Sequence, residues 1–169
     1  MLRSGNDAAV AIAEYISGDV DSFAALMNQE AAAMGATRSH FVNPNGLPDE
    51  NHYTCVYDMY LIFSNAVKND TFVSIIGTTS YDVTYTDASG EAVTHTWENT
   101  NQYLTGNATT PDGFQIVGGK TGTTGEAGYC LVLYSYNPSG QPIISIVFKA
   151  DGKSNLYLLM NEMLQGFAI

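Results

Sequence analysis

Gly118-Gly119-Lys120-Thr121-Gly122-Thr123-Thr124-Gly125 sets one lysine and three threonine hydroxyls among four glycines, and a strand-like run from Tyr129 to Tyr136 follows. The whole chain holds six Lys and Arg, so this lysine is expected to do more than keep a surface soluble. Glycine within a strand pattern marks a place where another backbone or a ligand comes close. The stretch reads as an edge strand that presents backbone amides, a hydroxyl and an ammonium to an anionic substrate. A glycine-rich hairpin turn with an exposed lysine is the plainer alternative. A phosphate-binding loop is excluded by spacing, because G-x-x-x-x-G-K-[ST] needs glycine where Phe114 stands and must lead into a helix.

The 169 residues suffice for about one domain, and a chain of this size buries roughly 70% of its unfolded surface. Net charge is −11 with no basic cluster, which argues against a nucleic-acid partner. No run is long or apolar enough to cross a membrane. Met1-Leu2-Arg3 is followed at once by Ser-Gly-Asn-Asp, so no signal peptide is legible. Cys55 and Cys130 fit no metal or redox spacing and read as small buried residues in preference to a disulfide. His40, His52 and His95 are too scattered for a metal site, and no cofactor is implied.

The first helix is expected to open in a cap near Ser4-Gly5-Asn6 and to close at Gly18. A second runs from about Asp21 to Met34 with Gly35 beyond its end. After the turn-forming loop Asn43 to Asn51, Thr54 is expected to cap a third helix to about Lys68, with Met59, Ile62, Phe63 and Ala66 on its apolar face. A short fourth helix covers Thr71 to Ile76. The period then switches to two: Tyr81, Val83 and Tyr85 alternate, Asp87 to Gly90 turns, and Ala92 to Trp97 returns as a hairpin. Asn99 to Gly113 is irregular. Strands Gly128–Tyr136 and Pro142–Phe148 follow the lysine strand, and a helix from Ser154 to Phe167 closes the chain. Helices, then strands, then a helix imply an α+β fold with an antiparallel sheet.

Ser4-Gly5-Asn6 is the second motif. Alone it reads equally as an N-cap serine beside an asparagine. Lys-Thr-Gly is rarer, on the order of one chance in twenty at this length and average composition. The two together, with Arg3 to Ala9, His40 to Leu47, Asp49 to Thr54, Tyr57 to Met59, Asn99 to Asn101, Gly119 to Thr124 and Ala127 to Tyr129, resemble the low-molecular-mass penicillin-binding proteins. These are serine-type D-alanyl-D-alanine carboxypeptidases, whose signature joins S-x-x-K, a Ser-x-Asn motif and K-T-G. The resemblance implies a partial β-lactamase/transpeptidase-like fold and a peptidoglycan stem peptide ending in D-Ala-D-Ala as substrate. It also implies β-lactams as inhibitors of the full-length protein and an extracytoplasmic location. By the same resemblance, Ser4 passes a proton toward the leaving amine, Asn6 binds the substrate amide, and Lys120 holds Ser4 and supplies positive potential. Thr121 hydrogen-bonds the terminal carboxylate, the Thr123 N–H is an oxyanion donor, and Gly122 lets the substrate lie along the strand as an added strand.

One departure matters. No serine or threonine has a lysine three residues on; Ser64 and Ser145 have theirs four residues on, at Lys68 and Lys149. The nucleophile and its lysine are therefore expected upstream, with Met1 internal to a longer protein. Residues 1–169 are then one incomplete domain, helical over 1–78, with the hairpin, sheet and last helix over 79–169. Such a chain is expected to be inactive alone and poorly stable, with core faces left exposed. Asn45, where relatives often carry histidine, is a minor departure. Rival readings are a β-lactamase, which needs a glutamate motif that Glu30 and Glu50 do not supply, a D,D-endopeptidase, and a non-catalytic peptide-binding remnant.

Overall fold

The computed structural model describes residues 1–167, so the last two residues of the expected 79–169 segment lie outside the described residues. Four helices come first: α1 (Asn6–Ser17), α2 (Val20–Ala33), α3 (Val56–Ala66) and α4 (Asp70–Gly77). The hairpin β1 (Ser80–Thr86) and β2 (Ala92–Glu98) follows, then β3 (Gln115–Thr124), β4 (Gly128–Tyr136), β5 (Pro142–Ala150) and α5 (Lys153–Gly166). This is the expected α+β order. The three long strands form an antiparallel sheet in the order β3-β4-β5, which leaves the lysine strand β3 at an edge.

Alternation along β4 and β5 divides the core in two, since neighbouring side chains leave opposite faces of a sheet. Leu131, Leu133 and Val147 meet Leu156, Tyr157, Met160 and Leu164 of α5 on one face. Val132 and Ile146 meet Phe63 of α3 and Ile76 of α4 on the other. Lys120 is paired with Val132 in the ladder. Gly118 admits the end of α4, because a Cβ there would stand 2.6 Å from the backbone carbonyl of Ile76. At Gly119 a Cβ would collide with the carbonyl of Val132.

Helix ends depart from the expected ones where a distant partner takes the expected cap, as at Thr54, or where a cap acts one residue earlier, as at Asp19 and Asn69. Gly5 is the N-cap of α1 and no side chain caps it, so Ser4 is not a capping serine. Cys55, not Thr54, precedes α3; the Thr54 hydroxyl instead pairs with that of Ser39 at 2.7 Å. Asp19 starts α2 one residue earlier than Asp21 by accepting the Ser22 N–H at 2.7 Å. Asn69 does the same for α4 through the Phe72 N–H at 3.1 Å. The strand β5 continues past Phe148 to Ala150, with a register shift opposite the Tyr129–Leu131 stretch.

The two cysteines are free and only half-buried, which corrects their reading as interior residues. Cys55 sits at a helix end, and Cys130 stands opposite Gly122, where the partner strand offers no side chain to cover it. Among apolar side chains, α1 buries only Ala13 and leaves Ile12, Tyr15 and Ile16 exposed. Val56, Tyr57 and Tyr60 of α3 are also exposed.

Candidate active site

A groove of about 740 Å³ runs between the N-terminal end of α1, the loop 43–47 and the edge strand β3. Ser4, Gly5 and Asn6 line one wall; Lys120, Thr121, Gly122, Thr123 and Thr124 line the other. All six residues singled out in the sequence therefore border one space. A hydrogen bond joins the walls: the Lys120 Nζ donates to the Ser4 Oγ at 2.8 Å, across 116 positions of sequence. The same Nζ donates to the carbonyl of Thr121 at 2.5 Å.

Ser4 adopts φ 54°, in the left-handed region. A non-glycine residue held there typically costs ~1–3 kcal/mol and persists only where its surroundings impose it, often at functional sites. Its N–H donates to the carbonyl of Met1 at 3.0 Å, which tightens the turn ahead of α1. Burial pushes the Lys120 ammonium below its ordinary value. Asn6 is exposed on the groove.

Gly122 differs from its neighbours. A Cβ there would meet nothing nearer than the Cβ of Cys130 at 3.9 Å, an ordinary contact, and its φ is not positive. Folding does not require glycine at this position, and the edge of β3 is open there to another backbone.

The loop opposite β3 is braced from within. The Asn43 Oδ1 accepts the Gly46 N–H at 2.7 Å and its Nδ2 donates to the Leu47 carbonyl at 2.9 Å. Asn28 of α2 holds Phe41 by both backbone groups, each at 2.7 Å. His40 and Tyr53 exchange backbone hydrogen bonds at 2.8 and 2.9 Å. His52 accepts the Val42 N–H at 3.1 Å through Nδ1. Its pKa is pushed down by burial, with Asp49 opposing and His40 assisting.

Asn99-Thr100-Asn101 carries no legible site role in the sequence. Thr100 lines the groove, and its hydroxyl lies 2.6 Å from that of Thr121. The segment reads only as irregular in sequence, because the contact joins residues 21 apart. Among the described residues no group of His, Cys, Asp and Glu is arranged to hold a metal ion.

An α+β domain with a lysine edge strand facing a Ser-x-Asn turn has the fold, and two of the three signature motifs, of the penicillin-binding proteins. The family model described as D-alanyl-D-alanine carboxypeptidase, peptidase family S11, matches residues 1–152, and the chain belongs to that family. It is 35% identical over 164 residues to the D-alanyl-D-alanine carboxypeptidase DacF of Bacillus subtilis, covering 96% of this chain and 39% of the relative. It is 33% identical over 180 residues to the D-alanyl-D-alanine carboxypeptidase of Streptomyces sp. K15, covering 100% of this chain and 58% of that one. A solved variant of the Streptomyces K15 DD-transpeptidase superposes with a TM-score of 0.88 at 31% identity, covering 100% of this chain and 65% of that chain. A Mycobacterium tuberculosis D-alanyl-D-alanine carboxypeptidase structure does so at 0.78 and 25% identity, covering 98% and 60%. The chain thus spans less than two thirds of each of these proteins.

Proposed function

We propose that this chain forms the substrate-recognition and proton-handling walls of a serine D-Ala-D-Ala carboxypeptidase, an extracytoplasmic enzyme that trims peptidoglycan stem peptides. The observation that carries this reading is the Lys120–Ser4 hydrogen bond, which sets an ammonium and a hydroxyl side by side where β3 offers a free edge. In the reaction, a serine hydroxyl attacks the carbonyl of the last peptide bond. Ser4 delivers a proton to the departing D-alanine amine, and water later cleaves the resulting ester. Asn6 holds the substrate amide, Thr121 binds the terminal carboxylate, and the Thr123 N–H faces the developing oxyanion, a contact whose loss typically costs ~10²–10³ in rate. The attacking serine is assigned to an S-x-x-K motif that these 169 residues do not contain.

The chain by itself is therefore expected to bind stem peptide without forming an ester. Incubating the purified protein with a fluorescent penicillin, followed by denaturing electrophoresis and mass spectrometry, tests this. No covalent adduct is expected. Stoichiometric labelling at one serine would refute the assignment of the nucleophile. A D,D-endopeptidase reading is favoured by one relative, the Escherichia coli D-alanyl-D-alanine endopeptidase, 29% identical over 153 residues. Both reactions use the same residues, and product analysis on a pentapeptide against a cross-linked dimer separates them.

A further inference from the structure

The segment 99–103 is held more firmly than a turn-rich loop requires. The Asn99 Nδ2 donates to the Thr78 carbonyl at 2.9 Å, and its Oδ1 accepts the Asn101 N–H at 2.9 Å. Asn101 is fully buried, and its Oδ1 accepts the Tyr103 N–H at 3.2 Å. The Tyr157 hydroxyl of α5 accepts the Gln102 N–H at 2.8 Å. The one side chain this frame turns toward the groove between the two asparagines is Thr100, whose Oγ1 lies 2.6 Å from the Thr121 Oγ1.

A hydroxyl has one proton to give and two lone pairs to receive with. Two hydroxyls at this distance share one proton, so one of them acts as donor to the other and the second keeps its own proton free. With Thr100 as the inner donor, the Thr121 proton is free for an anion in the groove. Thr121 is also the better donor for having accepted, because chained hydrogen bonds polarise one another. Without Thr100, the Thr121 hydroxyl loses the partner that fixes its rotor and must choose between the groove and its own surroundings.

We propose that Thr100 is a positioning residue for carboxylate recognition: its hydroxyl donates to Thr121 and thereby commits Thr121 to the C-terminal carboxylate of the bound peptide. This rests on the reading of β3 as the carboxylate-binding strand. It adds to that strand a residue from a different segment of the chain, and it implies that selectivity for a free C-terminus depends on the pair.

The test is an NMR titration of the isotopically labelled chain with diacetyl-L-lysyl-D-alanyl-D-alanine and with its C-terminal amide, giving the affinity ratio between the two. For the wild type the acid is preferred. Thr100→Val is expected to reduce that preference about three- to tenfold, the effect of one hydrogen bond, Thr100→Ser to restore it, and Thr121→Val to abolish it. In the wild-type chain the Thr100 and Thr121 methyl signals should move together, and further at saturation with the acid than with the amide, a readout that needs no variant to fold. Loss of preference in Thr121→Val with full preference retained in Thr100→Val, or a Thr100 methyl that ignores the acid, overturns this inference and leaves the proposed function standing. A wild-type chain that binds acid and amide equally overturns both.

Discussion

Alanine at Gly118 and alanine at Gly122, four residues apart on the same strand, are expected to have opposite consequences. At Gly118 the new Cβ would lie 2.6 Å from both the carbonyl carbon and oxygen of Ile76 and 2.8 Å from the Gly77 nitrogen. These are backbone atoms at the end of α4, so relief requires the helix to retreat from the sheet by most of an ångström, and Ile76, 1% exposed, moves with it. Overpacking of this kind costs typically ~1–3 kcal/mol, and a rigid backbone neighbour places this case at the upper end. With ~2–4 °C of Tm per kcal/mol for a chain of this size, a fall of about 6–12 °C is expected. At Gly122 the only neighbour is the Cys130 Cβ at 3.9 Å, and alanine reduces unfolded-chain freedom by ~0.4–1 kcal/mol. Stability there should be unchanged or slightly higher, while on the proposed function a methyl group intrudes into the path of the peptide backbone. Thermal unfolding followed by far-UV circular dichroism gives the first quantity, and titration with the D-Ala-D-Ala peptide the second. Equal destabilisation by both substitutions, or undiminished peptide binding by Gly122→Ala, would refute the distinction between a glycine the fold needs and one the ligand needs.

Two further outcomes concern charge. Burial holds the Lys120 pKa below its ordinary value, so between that lowered value and the unfolded ~10.4 the unfolded chain binds more protons and stability rises with pH. Lys120→Met should remove this rise in a pH series of unfolding curves, keep or increase stability near neutrality, and lose peptide binding. For Asp58, burial pushes the carboxyl up, but hydrogen bonds from Ser39, the Arg38 N–H and Cys55, with the Arg38 charge, outweigh it and leave the pKa lowered. Its contribution is therefore complete above the ordinary carboxylate range and lost as pH falls through the lowered value. Asp58→Asn should be less stable than wild type at pH 6, with the difference closing in strong acid; a constant difference down to pH 2 would contradict this assignment.

The order of elements was legible because periodicity and turn chemistry are local: the 3.6-residue pattern of α3 and the alternation of β1 and β2 are written within a few residues. Boundaries were less so. Thr54 and Ser4 are good capping residues by type, and both were drawn elsewhere, Thr54 to Ser39 and Ser4 to Lys120. The cysteines were misjudged because burial depends on what lies opposite, and opposite Cys130 stands a glycine.

The sequence by itself determined which chemical groups these 169 residues bring: one lysine and three hydroxyls among glycines, a Ser-x-Asn turn, and no serine or threonine with a lysine three residues on. Those are properties of composition and short-range order. Tertiary structure alone decided that Ser4 and Lys120 meet, that Ser4 is held in a left-handed turn, that Thr100 stands against Thr121, and which glycines serve the fold. The reason is that each of these depends on distances between residues from 21 to 116 positions apart, set by how α4 and the 99–103 segment seat against one edge strand.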